Sequence, residues 1–375
     1  MVVPVAFIDL PAQYRRLKSQ IDTRMQAVLD HGQFILGPEV AEFERALGAF
    51  AGGAHVIGVS NGTDALMMAL MAHDIGPGDA VYVPSFTFTA TAEAVLMLGA
   101  TPVFVDVRED TCNLDANDLA RAIAETGELR PKAVIAVDLF GLPAEYRRIG
   151  EIAAVHNMHV IADAAQSLSG VQEGVCVGRL APLTATSFFP AKPLGCFGDG
   201  GALFTPDSEM AEKLRSLRGH GAGKAKYDIV RVGMNARLDT LQAAVLLVKL
   251  TVLEEERGSR EKLSRYYDAR LSNRVSVPAR PAGSLSAWAQ YTIQIDHRDR
   301  VQAVLAQSGI PTQIYYPRPM HLQPAYAGYG RGAGSLPVSE KLSHRVLSLP
   351  MHPYMPEEVA QRICDAVCAA VTAGD

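Results

Sequence analysis

The 375-residue chain has the composition of an ordinary globular protein, with 48% apolar and 20% charged residues. Its net charge of −5 argues against a nucleic-acid partner. No apolar run approaches the roughly 18 residues of a membrane helix, and the early Asp9 does not fit a signal peptide. Five scattered cysteines favour free thiols, so we expect a cytoplasmic protein with no membrane contact and no metal site.

The first two thirds of the chain alternate short apolar runs with segments of helical period. Continuous apolar character is typical of strands that are covered on both faces, and strand–helix alternation predicts a mainly parallel sheet. The predicted strands lie at 55–59, 80–84, 102–107, 133–138, 159–163, 184–188 and 201–205, and the predicted helices at 64–73, 90–98, 114–124, 146–156 and 208–217.

After Asn235 the pattern changes. A long helix is predicted at 238–253 and continues through 254–262, and a turn-rich region follows. Beyond it the sequence predicts a strand at 290–295, a helix at 301–307, a strand at 312–315 and an exposed loop at 325–336. We therefore expect a large α/β domain at 1–250 and a smaller α+β domain at 251–375, on which the N-terminal segment packs.

A phosphate site is predicted where the first strand ends. The run Ser60-Asn61-Gly62-Thr63-Asp64 follows this strand and opens a helix. Gly62 lets the backbone approach a ligand, Thr63 adds a hydroxyl, and the free N–H groups of a helix start attract an anion. The same residues also fit an ordinary helix cap with Asn61 or Thr63 at the N-cap, so the motif alone does not decide between the two.

Two charged residues stand at later strand ends. Asp163 follows a buried strand at the edge where open α/β sheets bind ligands, and its burial is costly without a partner such as a protonated heterocyclic nitrogen. Its alternative role is to cap the next helix. Lys192 lies among aromatic and small residues, which can lower the pKa of an amine and make it a nucleophile. Its alternative is a solvated surface position.

A phosphate cradle, a buried acid and a shielded amine are together the parts that hold pyridoxal 5′-phosphate (PLP). The lysine would form a Schiff base with the cofactor, and the aspartate would keep the pyridine nitrogen protonated, so that the ring withdraws electrons. Ser187, at the end of the strand before Lys192, could donate to the same phosphate as Gly62 and Thr63.

Several segments in combination resemble the DegT/DnrJ/EryC1/StrS family, the PLP-dependent sugar aminotransferases of fold type I. Besides the three motifs, the similar segments are residues 7–10, 34–40, 234–239, 241–244, 316–317 and 321–323, so the resemblance covers nearly the whole chain. It implies an α/β fold of type I, with a mainly parallel seven-stranded sheet domain and a smaller C-terminal α+β domain.

The resemblance also implies a role for each matching residue. Lys192 would hold the cofactor and move a proton between amino donor and cofactor, and Asp163 would pair with the pyridine nitrogen. The other implied cofactor contacts are Gly62, Thr63 and Ser187 at the phosphate, Phe88 on the ring face, Gln166 at the phenolic oxygen and Asn235 from the neighbouring subunit. The implied substrate contacts are Arg237, Tyr315, Tyr316 and His321.

By the same resemblance, the chain moves an amino group from L-glutamate to a keto carbon of a nucleotide-linked sugar, with pyridoxamine 5′-phosphate (PMP) as intermediate. Because Asn235 would reach the neighbouring subunit, the active unit would be a homodimer with shared sites. Residues 187–201, 233–244 and 347–353 most resemble enzymes that act on UDP-2-acetamido-2-deoxy-3-oxo-hexuronate, for bacterial surface polysaccharide such as the O-antigen of lipopolysaccharide. Alternatives are an NDP-4-keto-6-deoxy or NDP-3-keto-6-deoxy sugar, and a non-catalytic regulatory or binding protein of the same fold.

Overall fold

The main sheet is built from seven strands in the part of the chain that the computed structural model describes, residues 4–225 and 227–372. These strands are β1 (His55–Val59), β2 (Asp79–Pro84), β3 (Thr101–Val105), β4 (Arg130–Val137), β5 (His159–Asp163), β8 (Leu183–Ser187) and β9 (Gly201–Thr205). They lie in the order β1-β9-β8-β5-β4-β2-β3, and β9 is antiparallel to both of its neighbours. The predicted seven-stranded, mainly parallel sheet is confirmed.

Helices cover both faces of this sheet. They are α1 (Leu10–His31), α2 (Pro38–Phe50), α3 (Gly62–Ala72), α4 (Ala90–Met97), α5 (Ala116–Ala124), α6 (Tyr146–Val155), α7 (Ser208–Arg218) and α8 (Thr240–Leu250). Val81 and Val83 pack towards α3, α4 and α7, whereas the alternate residues Ala80 and Tyr82 pack towards α5 and α6. Since successive strand residues point to opposite faces, burial on both faces explains the continuous apolar runs.

The C-terminal part has an apolar core of its own. It contains α9 (Leu253–Leu271), β11 (Tyr291–Gln294), α10 (Arg298–Gln307), α11 (Pro337–Arg345), β12 (Val346–Leu349) and α12 (Glu357–Thr372). β11 and β12 pair antiparallel, and α9, α10 and α12 cover them. Val5 packs into this core, and Met351 N–H donates to the carbonyl of Phe7 at 3.1 Å.

A small three-stranded sheet joins the two parts of the chain. It contains β6 (Val171–Gln172), β7 (Val175–Cys176) and β10 (Ser284–Leu285), in the order β10-β6-β7. The division into domains at 1–250 and 251–375 stays a prediction, and residues 1–3, 226 and 373–375 of those ranges lie outside the described residues.

Two late elements differ from the sequence prediction. The predicted strand at 312–315 is wrong, because only Gln313 forms a bridge, to Ser348. Pro311 and Pro317 flank it and cannot donate to a ladder. The predicted helix at 238–262 is broken into α8 and α9 at Thr251 and Val252, two adjacent β-branched residues with lower helix propensity.

No helix in residues 4–225 and 227–372 is both long enough and apolar enough to cross a membrane.

Candidate active site

The first helix turn of α3 meets the end of β8 at the carboxyl edge of the parallel strands. A Cβ atom placed on Gly62 would lie 2.8 Å from the Cβ of Ser187, so no other residue fits there without a shift. Asn61 caps α3, and its Oδ1 accepts the N–H of Asp64 at 2.8 Å. The first N–H groups of a helix have no intrahelical partner, so those of Gly62 and Thr63 remain for a ligand. The cap and the anion site are therefore compatible.

Asp163 ends β5 as a buried carboxylate. Its oxygens accept the Thr91 hydroxyl at 3.0 Å and the Ala165 N–H at 3.2 Å. No basic side chain in the described part of the chain lies within ion-pairing distance of it. Burial raises the pKa of Asp163, while the charge of Lys192 opposes that shift. Such a group is suited to a cationic ligand such as a protonated ring nitrogen.

Lys192 lies in the turn after β8, partly buried and within electrostatic range of Asp163. Its backbone N–H donates to the carbonyl of Phe189 at 2.8 Å. Burial lowers the pKa of its amine, and the Asp163 carboxylate opposes that shift. The alternative of a solvated surface lysine does not fit this position. A shielded amine of lowered pKa can act as a nucleophile and as a base.

Gln166 is buried and forms a side-chain hydrogen bond with Tyr316. Its Oε1 accepts the N–H of Phe140 at 2.7 Å, so the amide nitrogen is left to donate. Phe140 adopts a left-handed conformation with φ of 60°, which turns its N–H towards Gln166. The geometry is compatible with the predicted donation to a phenolic oxygen.

Asp138, which the sequence reasoning missed, lies behind these groups at the end of β4. It is buried, and it accepts the hydroxyls of Tyr146 and Ser167, each at 2.6 Å, and the N–H of Ala144 at 2.8 Å. Burial raises the pKa of Asp138 to about 7. Its N–H donates to the carbonyl of Asp163 at 3.0 Å. The sequence signal for Asp138 is the same as for Asp163: an aspartate at the end of a buried strand.

Aromatic rings form the outer wall of the site. Phe88 is 57% exposed, and its ring centroid lies 6.4 Å from that of Tyr316. The Tyr316 hydroxyl contacts Gln166, and burial raises its pKa. Tyr315 packs on Phe7, with ring centroids 6.4 Å apart. Tyr316 thus lies beside the predicted cofactor contacts, whereas Tyr315 faces the N-terminal segment.

The structure places His321 behind the end of β2. Its ring is buried, with Nδ1 2.6 Å from the Ser85 hydroxyl and Nε2 3.1 Å from Glu340 Oε1. Both ring nitrogens are therefore engaged within the chain, and this arrangement does not support the predicted direct contact to a substrate. His321 instead fixes the segment that follows Tyr316.

Asn235 and Arg237 lie along the outer edge of β1. The carbonyl of Ala236 accepts the N–H of Ser60 at 3.3 Å, and Asn235 is exposed. Because β1 is an edge strand of the main sheet, this segment faces outwards from the chain. That position is compatible with a residue that acts on another subunit.

The comparisons with known proteins agree with this geometry. The model of the DegT/DnrJ/EryC1/StrS aminotransferase family matches residues 15–368. The chain belongs to this family. A curated relative, the UDP-2-acetamido-2-deoxy-3-oxo-D-glucuronate aminotransferase of Pseudomonas aeruginosa, is 46% identical over 364 residues, which are 97% of this chain and 99% of the relative.

Solved structures of family members share the fold. A DegT DnrJ EryC1 StrS aminotransferase from Brucella abortus superposes with a TM-score of 0.95 at 51% identity, over 98% of this chain and 99% of its own. NtdA from Bacillus subtilis, solved with bound cofactor PMP, has a TM-score of 0.90 at 29% identity and covers 99% of this chain and 86% of its own. The chain is a PLP-dependent aminotransferase of fold type I.

The site fits that cofactor on three independent observations. The cradle at Gly62 and Ser187 has no room for a side chain. Asp163 is a buried acid with no basic side chain of the described residues within ion-pairing distance, and Lys192 is a shielded amine close to that acid. A phosphate, a protonated ring nitrogen and an aldehyde are the respective groups that PLP presents.

Proposed function

We propose that this enzyme transfers an amino group from L-glutamate to the 3-keto carbon of UDP-2-acetamido-2-deoxy-3-oxo-hexuronate, in the cytoplasm, for surface polysaccharide. The observation that carries the proposal is the 46% identity, over 97% of the chain, to an aminotransferase named for that substrate. An acceptor of the 4-keto-6-deoxy or 3-keto-6-deoxy class is the alternative, since the cofactor residues do not distinguish the acceptors.

The chemistry of transfer is divided between cofactor and protein. Bound PLP supplies a ring that withdraws electrons from the carbon attached to the transferred nitrogen. Asp163 holds the proton on the ring nitrogen, because a buried carboxylate is stabilised by an adjacent cation. Lys192 Nζ accepts the proton of the donor carbon and returns it, a role that its lowered pKa favours.

The remaining cofactor-binding residues anchor the cofactor and orient it. The N–H groups of Gly62 and Thr63 and the Ser187 hydroxyl hold the phosphate at the start of α3. Gln166 donates its amide nitrogen to the phenolic oxygen, and Phe88 covers the ring. Contacts at the phosphate and at the ring would together keep the bound cofactor from shifting relative to Lys192.

The acceptor sugar is held at the outer side of the site. We assign its contacts to Arg237, Tyr315 and Tyr316. Arg237 is suited to the diphosphate, because a guanidinium can bind two oxygens at once. His321 acts indirectly, through the position of the segment it fixes.

The active unit is a homodimer in this proposal. Near Asn235 the chain exposes a run of apolar side chains: Tyr227 (87%), Ile229, Val230 and Val232 (85%). Phe34, Ile35 and Leu36 are also exposed, and Ile35 forms a bridge to Asp239, which is close to Asn235 in the sequence. Apolar patches of this kind usually mark interaction sites. A second copy on this surface would bring its Asn235 towards a neighbouring cofactor.

The test separates the two half-reactions. We expect the PLP form of the purified enzyme to convert L-glutamate to 2-oxoglutarate and become the PMP form. That form should then add an amino group to the UDP-linked 3-oxo-hexuronate, as a mass spectrometer detects, but not to a dTDP-4-keto-6-deoxy sugar.

Lys192→Ala should abolish both half-reactions and the absorbance band of lysine-bound cofactor. The matched control is Lys262→Ala, because Lys262 is an exposed lysine of α9. If the PMP form aminates only the 4-keto sugar, that sugar class replaces the proposed acceptor. A Lys192→Ala variant that keeps both band and turnover would refute the assignment of the lysine.

A further inference from the structure

Lys249 is a buried cation that the proposed mechanism does not use. It lies on α8 with 3% of its surface exposed. Its Nζ donates to the carbonyl of Gly195 at 2.7 Å and lies 4.6 Å from the centroid of the Phe197 ring. Burial lowers its pKa to about 8, so the group is still mainly an ammonium at neutral pH. Both contacts belong to one segment, residues 189–199, which we call the lysine loop because it contains Lys192.

Burying an ammonium at this position costs free energy of folding, and the packing around it gives no reason for a charged side chain there. One carbonyl and one ring face satisfy only part of its three donors. Its neighbours on α8, Leu246, Leu247 and Val248, are apolar and buried, so an apolar side chain would suit the helix. A charge retained in such surroundings therefore points to a function for its contacts.

α8 holds the lysine loop at a second point on the same side. Gln242, seven residues before Lys249, accepts the N–H of Phe197 at 2.8 Å through its Oε1. Residues seven apart in a helix share a face. The two side chains therefore attach the backbone at Gly195 and at Phe197 to one rigid helix.

The attachment at Gly195 lies directly against the stretch that leads into Lys192. A Cβ atom on Gly195 would lie 2.3 Å from the carbonyl oxygen of Pro190, so the loop folds back on itself with no space between. The N–H of Lys192 donates within the same turn, to Phe189. Displacement of Gly195 must therefore displace the backbone on which Lys192 is carried.

We propose that Lys249 is a positioning residue, whose ammonium fixes the lysine loop so that the Lys192 amine meets the cofactor. The inference rests on the proposed role of Lys192 as the residue that binds PLP covalently. It adds a residue from a helix outside the cofactor pocket to the parts that the reaction requires.

The test is the rate at which apoenzyme regains the absorbance band of lysine-bound cofactor after PLP is added. Lys249→Met keeps the length and the apolar packing but removes the charge. We expect band formation to slow at least about tenfold, since small displacements of reacting groups carry large rate penalties. The melting temperature should stay the same or rise, because a buried charge is lost. Lys262→Met, at an exposed position of α9, should match wild type in both measurements.

Band formation at the wild-type rate in Lys249→Met would overturn the inference, whatever the melting temperature. If Lys249→Met does not fold, Lys249→Gln replaces it: the amide keeps a donor but not the charge, and an unchanged rate would again overturn the proposal. Failure of the underlying assignment is seen separately. In that case Lys192→Ala itself would form the band.

Discussion

Replacing Asp163 by asparagine removes the charge of the side chain while leaving its size and shape almost unchanged. Asp163→Asn keeps the size of the group, and its single amide oxygen can still accept the N–H of Ala165 while its NH2 group donates to the Thr91 hydroxyl, but it cannot hold a proton on a ring nitrogen by charge. We expect turnover to fall by about a hundredfold or more, as when other electrostatic groups are removed from active sites. The band of lysine-bound cofactor should persist, because Lys192 is intact.

Stopped-flow measurement of the glutamate half-reaction checks this. Ser169→Ala is a suitable control, since Ser169 is a nearby buried residue whose hydroxyl has no hydrogen-bond partner in the described part of the chain. Equal turnover in Asp163→Asn and wild type would show that another group supports the ring nitrogen.

Site residues that directly follow a strand are easier to find from the sequence than residues whose role depends on a contact with a distant part of the chain. Asp163 and Lys192 each carry a local signal, a charged side chain next to a buried run. The engagement of His321 depends on Ser85, which is 236 residues away, and that of Lys249 depends on the fold of a loop 54 residues earlier. A sequence pattern gives no sign of such pairings, so neither the hydrogen bonds of His321 nor the contacts of Lys249 can be predicted from it.

The geometry at the start of α3 is sensitive to one added methyl group. In Gly62→Ala the new Cβ would lie 2.8 Å from Ser187, so the helix start or the end of β8 must move. We expect a several-fold higher dissociation constant for PLP, measured by fluorescence titration of apoenzyme.

The control for this change is Gly150→Ala in the middle of α6, where a Cβ meets nothing within 4 Å. That substitution should raise stability by roughly 0.5–1 kcal/mol and leave PLP affinity unchanged. Wild-type affinity in Gly62→Ala would mean that the phosphate is held elsewhere.

Element boundaries were predictable where one physical signal dominates. The strands of the main sheet followed from their continuous apolar runs, and β1, β5 and β9 have the predicted bounds. The edge segment at 312–315 reads as a strand in isolation, yet within it only Gln313 pairs, with Ser348 on the edge of β12 that faces away from β11. A run of extended residues becomes a strand only where successive N–H groups can pair, and the prolines at 311 and 317 lack that donor.

The stability of the whole molecule should depend on a histidine pair at the opposite end of β5 from Asp163. The rings of His73, after α3, and His159, in β5, are stacked with centroids 3.8 Å apart. Burial, His159 and Lys213 lower the pKa of His73 to about 4, and burial and Lys132 lower that of His159. Because the folded-state pKa lies below the ordinary value of 6.5, this stabilising contribution is complete above about pH 6.5 and is lost as pH falls towards 4.

Thermal unfolding of wild type and His73→Phe at pH 7.5 and pH 5 measures this contribution. The phenyl ring retains the stack but cannot be protonated, so the variant should lose less stability between the two pH values. Asp138 has the opposite effect, because its raised pKa favours the folded state as pH falls below about 7. Because Asp138 is present in both proteins, its contribution cancels when their losses of stability between the two pH values are compared. An identical pH dependence of wild type and His73→Phe would contradict the prediction.

The proposed sharing of sites between two chains can be tested by mixing two inactive proteins. Lys192→Ala removes the amine but keeps Asn235, and Asn235→Ala removes the amide but keeps the amine. If Asn235 acts on the neighbouring cofactor, a hybrid dimer contains one site built from two intact halves. Random reassociation of equal amounts should therefore restore about a quarter of wild-type turnover, from one native site in half of the dimers. Activity no greater than the sum of the separate proteins would show that each chain builds its own site.

Val232→Glu tests whether the exposed apolar run near Asn235 forms the contact between the two chains. A carboxylate on this exposed apolar run should prevent two copies from packing, so light scattering should report a monomer and the mixed proteins should no longer recover activity. Val155→Glu makes the same chemical change at a position that is 77% exposed on α6, and it should leave both mass and recovery unchanged. A dimer that survives Val232→Glu with full recovery would place the contact between chains on a different surface.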